Sequence, residues 1–366
     1  MNKGHITFLI SDMAAGGAQR VASILCSHWA ELGHDITLIT FEHQDTKSFY
    51  DLHPNICYKR LNLLGGSGHA LRAISSNLKR VMALKSAYKN NKPDIVISFM
   101  PENNVLAILS AIGLSRVPIL VSERSDPRYV PAQKMWRILR RITYPFAKTI
   151  ICQTPRASSF FTYHKQCVIL PNPISPPSDA SSPPLCTPFI SGLGRLGHEK
   201  GFDILIEAFA KIKKDFPSHH LIILGEGQER QALEQQIKIL NLEGSVHLSG
   251  KKSQPFSILR HSGLFVMPSR FEGFPNALCE AMTYGLPVIA SDDATQSLSV
   301  IRHNENSLVF ESENINALAA AMTDILKSPE KAQMLGDNAR DIVSELSIEK
   351  VCAQWDIMIN QCLEHK

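Results

Sequence analysis

Short apolar, β-branched runs alternate with helical patterns along the whole chain, and this alternation restricts the fold more than any other feature. In the first half the runs are ITFLIS (6–11), ITLITF (36–41), DIVISF (94–99), ILVSE (119–123) and TIICQT (149–154). Each is continuous enough to predict a strand buried on both faces. Segments with helical spacing near 17–32, 69–91, 102–113 and 131–147 separate them. Residues 171–188 then break the pattern: seven of these eighteen are prolines, which suits neither a helix interior nor a central strand. The alternation resumes with FISGLG (189–194), HLIILGEG (220–227), VHLSG (246–250), LFVMPS (264–269), PVIAS (287–291) and LVF (308–310). Helices are expected near 201–215, 228–241, 275–284 and 314–327, and the tail from Pro329 reads as wholly helical.

Repeated strand–helix alternation predicts parallel, doubly wound sheets. The fold class is therefore α/β, with two Rossmann-like domains facing across a central cleft. The expected division is 1–170, a Pro/Ser-rich linker at 171–188, and 189–366, with the last helix staying in the second domain or returning to the first. Open sheets of this kind bind ligands beyond the carboxyl ends of their strands.

Several function classes drop out. No apolar run reaches about eighteen residues, so no membrane-spanning helix is expected. The start, MNKGHITFLISDM, reads as a buried strand and not as a signal peptide. The eight cysteines are scattered, with no C-x-x-C pair, which suits reduced thiols in a cytosol. Net charge is only +4, but residues 1–170 hold 21 Lys and Arg against 10 Asp and Glu, while residues 171–366 hold 17 against 24. The first half should therefore attract an anionic partner.

Three segments carry chemistry. RFEGFPNALCEAM (270–282) follows a strand, and Pro275 suits the first turn of a helix. N–H groups from Gly273 to Ala277 would point out of that helix start and form an anion site with the macrodipole. Glu272 and Glu280 flank it, and a carboxylate can accept from vicinal sugar hydroxyls. GLGRLGHEKGF (192–202) contains G-x-G-x-x-G at Gly192, Gly194 and Gly197. That spacing alone also admits a dinucleotide site, although the acidic residue expected about 20 positions on is poorly met by Glu207 or Asp215. DMAAGGAQRV (12–21) places Gly16 and Gly17 between a strand and a helix, where bare backbone can approach a phosphate.

The 270–282 segment resembles the signature of the large retaining GT-B glycosyltransferase family that includes sucrose and glycogen synthases and bacterial O-antigen and capsule glycosyltransferases. That signature has a Glu, seven residues and a second Glu, with Gly-Phe-Pro after the first. The resemblance implies that Glu272 contacts the donor sugar and Glu280 the ribose hydroxyls. It implies that main chain at Phe274, Pro275, Asn276 and Ala277 meets the phosphates and sugar. Gly-Arg-Leu followed by Lys-Gly is similar to the family's segment, implying Arg195 and Lys200 on the donor diphosphate. Gly16 and Gly17 would border the donor phosphate and the acceptor, with Arg20 nearby. Gly225 and Gly227 would lie near base and ribose, and Gly250 beside the base. Many members carry a His in the segment that here reads SERSDP (122–127). This chain has Glu123, Arg124 and Asp126 instead, so Arg124 could meet a phosphate or the sugar and Glu123 an acceptor hydroxyl.

The resemblance further implies retention of configuration, a UDP-sugar donor carrying a hexose or N-acetylhexosamine, and no cofactor. The acceptor would be a polyprenyl-pyrophosphate-linked or other lipid-linked saccharide in surface polysaccharide or lipopolysaccharide assembly. No D-x-D triplet occurs, since Asp292 and Asp293 are adjacent, so no metal is expected. Nucleic acid is not an expected partner. An anionic membrane surface is, and the expected location is cytoplasmic, peripheral at the inner face of the cell membrane. Two basic segments fit that surface. One places Leu71, Ile74, Leu78 and Val81 at helical spacing. The other, KMWRILRRITYPFAK (134–148), places Trp136, Leu139, Ile142 and Phe146 beside Arg137, Arg140 and Arg141. Three alternatives stay open: a nucleotide-sugar epimerase of the same fold, an NAD-dependent oxidoreductase using the 192–197 glycines, and a non-catalytic membrane-binding scaffold.

Overall fold

The structure is a computed structural model, and it describes residues 3–65, 70–114, 117–128, 133–164, 166–175, 187–295 and 298–364. The chain forms two compact units, Met1–Pro173 with Ile348–Lys366, and Ile174–Ser347.

In chain order the first unit runs β1 (His5–Leu9), α1 (Gly17–Glu31), β2 (Asp35–Thr40), β3 (Cys57–Arg60), α2 (Ala70–Asn91), β4 (Ile95–Phe99), α3 (Pro101–Ala111), β5 (Ile119–Ser122), α4 (Lys134–Thr143), β6 (Thr149–Cys152), α5 (Pro155–Ser158) and β7 (Cys167–Ile169). The second runs β8 (Phe189–Leu193), α6 (Phe202–Ile212), β9 (His220–Leu224), α7 (Arg230–Ile239), β10 (Val246–Leu248), α8 (Phe256–Leu259), β11 (Leu264–Met267), α9 (Asn276–Thr283), β12 (Val288–Ser291), α10 (Asp292–Thr295), β13 (Leu308–Phe310), α11 (Ile315–Lys327), α12 (Pro329–Ala339) and α13 (Ile342–Glu345). The last helix, α14 (Ile348–Glu364), completes the first unit.

Both sheets are parallel. The first has strand order β3-β2-β1-β4-β5-β6-β7, the second β10-β9-β8-β11-β12-β13. The order reverses between β1 and β4 in one and between β8 and β11 in the other. A loop leaving each member of such a pair is free to diverge, which opens a crevice at the carboxyl edge. Apolar side chains alternate between the two faces of each sheet. In the first unit Ile6, Phe8, Ile36 and Leu38 pack with α1 and α14, while Leu9, Ile39, Val96 and Val121 pack with α2, α3 and α4. In the second, Ile190, Leu221 and Val266 face α6, α7 and α11, and Phe189, Ile222 and Phe265 face α8 and α9.

The structure corrects the sequence reading in several places. Strands β3 and β7 were not expected, and both are sheet edges. The tail is helical, as expected, except for breaks around Arg340 and at Leu346–Ser347 that divide it into three helices, and Ser347 forms a parallel bridge with Ile174. Most of the 171–188 segment, with Cys186, lies outside the described residues; the other seven cysteines are free thiols. The stripe expected on α4 splits. Trp136 and Arg140 are buried, whereas Ile142 and Phe146 are exposed together with Met135 and Ile138. Arg140 therefore does not belong to a cationic flank, since its guanidinium is taken inside by Glu123, 3.6 Å away. On α2, Ile74, Leu78 and Met82 are exposed, and the side chain of Leu71 lies outside the described residues.

Candidate functional site

The loops leaving β8 and β11 meet at the switch point of the second sheet. After Leu193 the chain runs through Gly194 to a short 3-10 turn, His198–Lys200, and then reaches Gly201 in the left-handed region at φ +64°. A Cβ at Gly201 would stand 2.1 Å from the Pro268 carbonyl oxygen, so only glycine lets these two loops touch. A Cβ at Gly194 would sit 3.3 Å from Cδ of Lys200, so the bare backbone there makes room for the lysine stem. Lys200 reaches Glu272, with Nζ 2.6 Å from Oε1. The same oxygen accepts from Ser269 Oγ at 2.7 Å. The structure thus brings together two of the three residues expected to do chemistry, on adjacent loops at a carboxyl edge.

Arg270, which the sequence reading passed over, locks these loops. Its guanidinium donates to both Asp203 oxygens, at 2.8 and 2.7 Å, to the His198 carbonyl at 2.8 Å and to Glu313 at 2.8 Å. Its own N–H donates to the Glu199 carbonyl at 2.9 Å. The Asp203 carboxylate pushes the Arg270 guanidinium further up. Burial alone would raise Asp203, but the bonds from Arg270 hold it below the ordinary carboxylate range. Bidentate geometry of this kind fixes orientation as well as charge.

Arg195 stands apart from this pair. Its side chain is 73% exposed and binds Glu199 Oε1 at 2.5 Å. The expected donor-binding glycines have clear packing roles. A Cβ at Gly225 would lie 1.8 Å from the Gly194 carbonyl oxygen, and one at Gly227 2.2 Å from that of Leu196. Gly225 and Gly250 pair across an antiparallel bridge, with Gly250 at φ +74°. These glycines let the loop after β9 lie against residues 194–196. Gly192 likewise leaves room for Phe202, 3.0 Å from its notional Cβ. The first two glycines of the G-x-G-x-x-G spacing thus have a packing explanation in Phe202 and Lys200, while a Cβ at Gly197 would meet only the Glu199 carboxylate.

Helix α9 starts at Asn276, one residue later than expected, with Pro275 immediately before it. Within the expected anion cradle, the Asn276 N–H donates to the Phe274 carbonyl at 2.9 Å. The Phe274 side chain is buried in the core, so only its backbone faces the loop. Ala277 and Glu280 are partly exposed on α9.

In the first unit, Gly16 precedes α1 and Gly17 begins it. The Tyr50 hydroxyl accepts from the Gly16 N–H at 3.1 Å and donates to its carbonyl at 2.9 Å, while Asp12 holds Ala14 N–H and Gln19 at 3.1 and 2.9 Å. Glu123 is 1% exposed. The Tyr144 hydroxyl donates to it. Burial pushes its carboxyl up to about 7, against the opposing pull of Arg140 and Tyr144. A carboxylate so enclosed serves the interior and does not present itself to an acceptor hydroxyl. Arg124 sits beside it, partly buried, over the ring of Phe99. Asp126 is buried between Arg128 and Arg156, at 3.3 and 3.6 Å.

Among the described residues no group of three or more His, Cys, Asp or Glu is placed to hold a metal ion, and no helix is long and apolar enough to cross a membrane.

Comparison with known proteins adds to this geometry. Residues 181–342 match the family described as "Glycosyl transferases group 1", and residues 15–176 match "Glycosyltransferase Family 4". The chain is 27% identical over 365 residues, 96% of each chain, to a Campylobacter jejuni protein. That protein is the GalNAc-alpha-(1->4)-GalNAc-alpha-(1->3)-diNAcBac-PP-undecaprenol alpha-1,4-N-acetyl-D-galactosaminyltransferase. Among solved structures, sucrose-phosphate synthase from Thermosynechococcus elongatus superposes with a TM-score of 0.86 at 20% identity, covering 100% of both chains. Anabaena HepE in complex with UDP-glucose superposes with a TM-score of 0.77 at 17% identity, covering 98% of this chain and 100% of the other.

Proposed function

Taking as premise that this chain belongs to the GT-B glycosyltransferases, with their group 1 and family 4 halves, we propose that it moves a hexose or N-acetylhexosamine from a UDP-sugar to a lipid-linked saccharide. The transfer retains anomeric configuration, needs no metal ion, and serves bacterial surface polysaccharide assembly. The observation that carries this reading is the Lys200–Glu272 pair, 2.6 Å apart at the switch point of the second sheet. A cation and a carboxylate held side by side suit a substrate that offers phosphate oxygens and sugar hydroxyls to the same place.

In this reading Lys200 passes from Glu272 to the donor diphosphate as the nucleotide sugar enters. Glu272, released, accepts from a hydroxyl of the transferred sugar. Arg195, whose exposed side chain rises from the same loop, leaves Glu199 and joins Lys200 on the diphosphate. As the glycosidic bond breaks, charge builds on the departing phosphate, where Lys200, Arg195 and the start of α9 stabilise it. Glu280 takes the ribose hydroxyls, and backbone at Gly225, Gly227 and Gly250 borders the base. Main chain from Phe274 to Ala277 borders phosphate and sugar. The UDP donor and the lipid diphosphate acceptor are supported by what similar proteins are described as binding or transferring to. No nucleophilic side chain is assigned, so the acceptor hydroxyl attacks on the face the diphosphate leaves and passes its proton to the departing phosphate oxygen.

The exposed side chains Met135, Ile138, Ile142 and Phe146 lie with exposed Lys134, Arg137, Arg141 and Lys148 around α4. This supports a position at the inner face of the membrane, where a lipid-linked acceptor is found. The test is incubation of the purified chain with a panel of radiolabelled nucleotide sugars and a membrane lipid extract. Label should pass to lipid from one UDP-sugar, with EDTA making no difference. Label that stays in the nucleotide pool across the whole panel would refute the proposal.

A further inference from the structure

The carboxyl edge of the first sheet holds a cation that no carboxylate pairs among the described residues. Arg124 follows β5, and its guanidinium carbon lies 4.3 Å from the centre of the Phe99 ring, at the end of β4. It donates to the Asn172 side-chain oxygen, just beyond β7, and weakly to Ser122 Oγ at 3.4 Å. That Asn172 oxygen is shared with Gln153 Nε2, which follows β6 and donates at 2.5 Å. Nε of Arg124 is buried with no hydrogen-bond partner. Nearby arginines are treated differently: Arg140 stands beside Glu123, and Arg128 and Arg156 beside Asp126. Among the described residues no ion pair includes Arg124. Burial pulls its guanidinium down to about 9, with nothing opposing the shift, yet leaves it charged at neutral pH.

Burying a cation among neutral partners is costly unless a counter-charge arrives from outside. The adjoining backbone is strained as well. Met100, directly after β4, has φ +78°, and its N–H donates to the Ser122 carbonyl at 3.1 Å. A non-glycine residue held there concentrates at ligand sites more than elsewhere. Loops from β4, β5, β6 and β7 therefore converge on one uncompensated guanidinium.

We propose that Arg124, with Ser122 and Asn172, forms an anion subsite of the first unit that takes the diphosphate oxygens of a substrate. The substrate's identity rests on the transferase reading; the anion subsite itself does not. Two sources offer the same chemistry, the nucleotide diphosphate of the donor and the diphosphate that joins the acceptor saccharide to its lipid. In either case the ligand supplies the charge that the fold leaves out.

The test separates the subsite from the reaction. The full chain carrying Lys200→Ala and Arg195→Ala is titrated calorimetrically with inorganic pyrophosphate. A binding event should persist, and adding Arg124→Met, which keeps contact with Phe99, should weaken it at least tenfold. Equal affinity with and without Arg124→Met overturns the proposal, as does absence of binding in the chain that retains Arg124. The ligand-free melting temperature should not fall in Arg124→Met, because an uncompensated charge is removed. A fall of more than a few degrees would make Arg124 a structural strut and overturn the subsite. If the methionine variant does not fold, Arg124→Gln carries the same comparison. Steady-state kinetics of Arg124→Lys then assign the source: a raised KM for the lipid diphosphate acceptor points to the acceptor, and a raised KM for the nucleotide sugar points to the donor. Both KM values unchanged would overturn the assignment to a substrate. A wild-type chain that transfers no sugar would sink the transferase reading while the pyrophosphate titration still decides the subsite.

Discussion

Lys200 owes its position to residues that never touch a substrate in the reading above. Gly194 leaves space for its stem, Gly201 lets its loop lie on Pro268, and Arg270 ties that loop to Asp203 and Glu313. Removing Lys200 or Glu272 should therefore disturb chemistry more than folding. Lys200→Ala and Glu272→Ala are each expected to lower kcat/KM on the order of a hundredfold or more, the scale seen when a charge-stabilising group is lost. Circular dichroism should show an intact fold; near-normal turnover in both variants would contradict the site. The sequence singled these two out through their neighbours, Gly-Arg-Leu and Gly-Phe-Pro, and the structure sets them side by side. Arg270 was not singled out, because its partners lie 67 and 43 residues away and nothing local signals them. Glu123 was misread for the same reason: its burial depends on Tyr144 and Arg140, 21 and 17 positions on.

At the scale of elements, the central strands were readable from β-branched composition alone, since both faces of each are covered. β3 and β7, the edges of the first sheet, escaped, although the edges of the second sheet, β10 and β13, were read from VHLSG and LVF. CYKR and CVI are short, mostly partly exposed, and need no continuous apolar run. Helix α4 shows what periodicity omits. Its spacing correctly signalled an amphipathic helix, but the buried side proved to be Trp136, Arg140 and Thr143. The side left in solvent carries Ile138 and Ile142, 52% and 58% exposed, continuing to Phe146 at 75%. If this face meets lipid, each basic residue near an anionic surface contributes about 1 kcal/mol, screened within a Debye length. The triple change Ile138→Ser, Ile142→Ser and Phe146→Ser should reduce co-sedimentation with phosphatidylglycerol vesicles at least tenfold. Raising salt should weaken binding of the unaltered chain, and neutral phosphatidylcholine vesicles should bind less. Unchanged sedimentation of the triple variant would remove α4 from the membrane reading.

For the whole molecule, the division into two α/β units followed from the repeated alternation and the proline-rich break. Which unit the tail serves did not, because α14 carries an ordinary amphipathic pattern that would fit either. Its partners decide the matter. Trp355 packs on Trp29 with ring centres 6.1 Å apart, and Asp356 accepts from Trp29 Nε1 and pairs with His28, each at 3.0 Å. Val351, Cys352, Trp355 and Ile359 are all at or below 1% exposure. Losing one buried tryptophan costs about 3–5 kcal/mol, so losing the helix should exceed what a marginally stable domain holds. A chain ending at Ser347 should keep the thermal transition of the second unit and lose that of the first. A first unit still folded in that truncation, by limited proteolysis, would contradict the packing described. There is a temporal side to this arrangement. On the ribosome, the opening β-α pairs emerge early, yet the surface of Phe8, Trp29 and Phe99 stays uncovered until α14 has been translated, after every residue of the second unit. The unit begun first is the unit finished last, and through most of its synthesis that apolar face of its sheet waits for the helix that covers it.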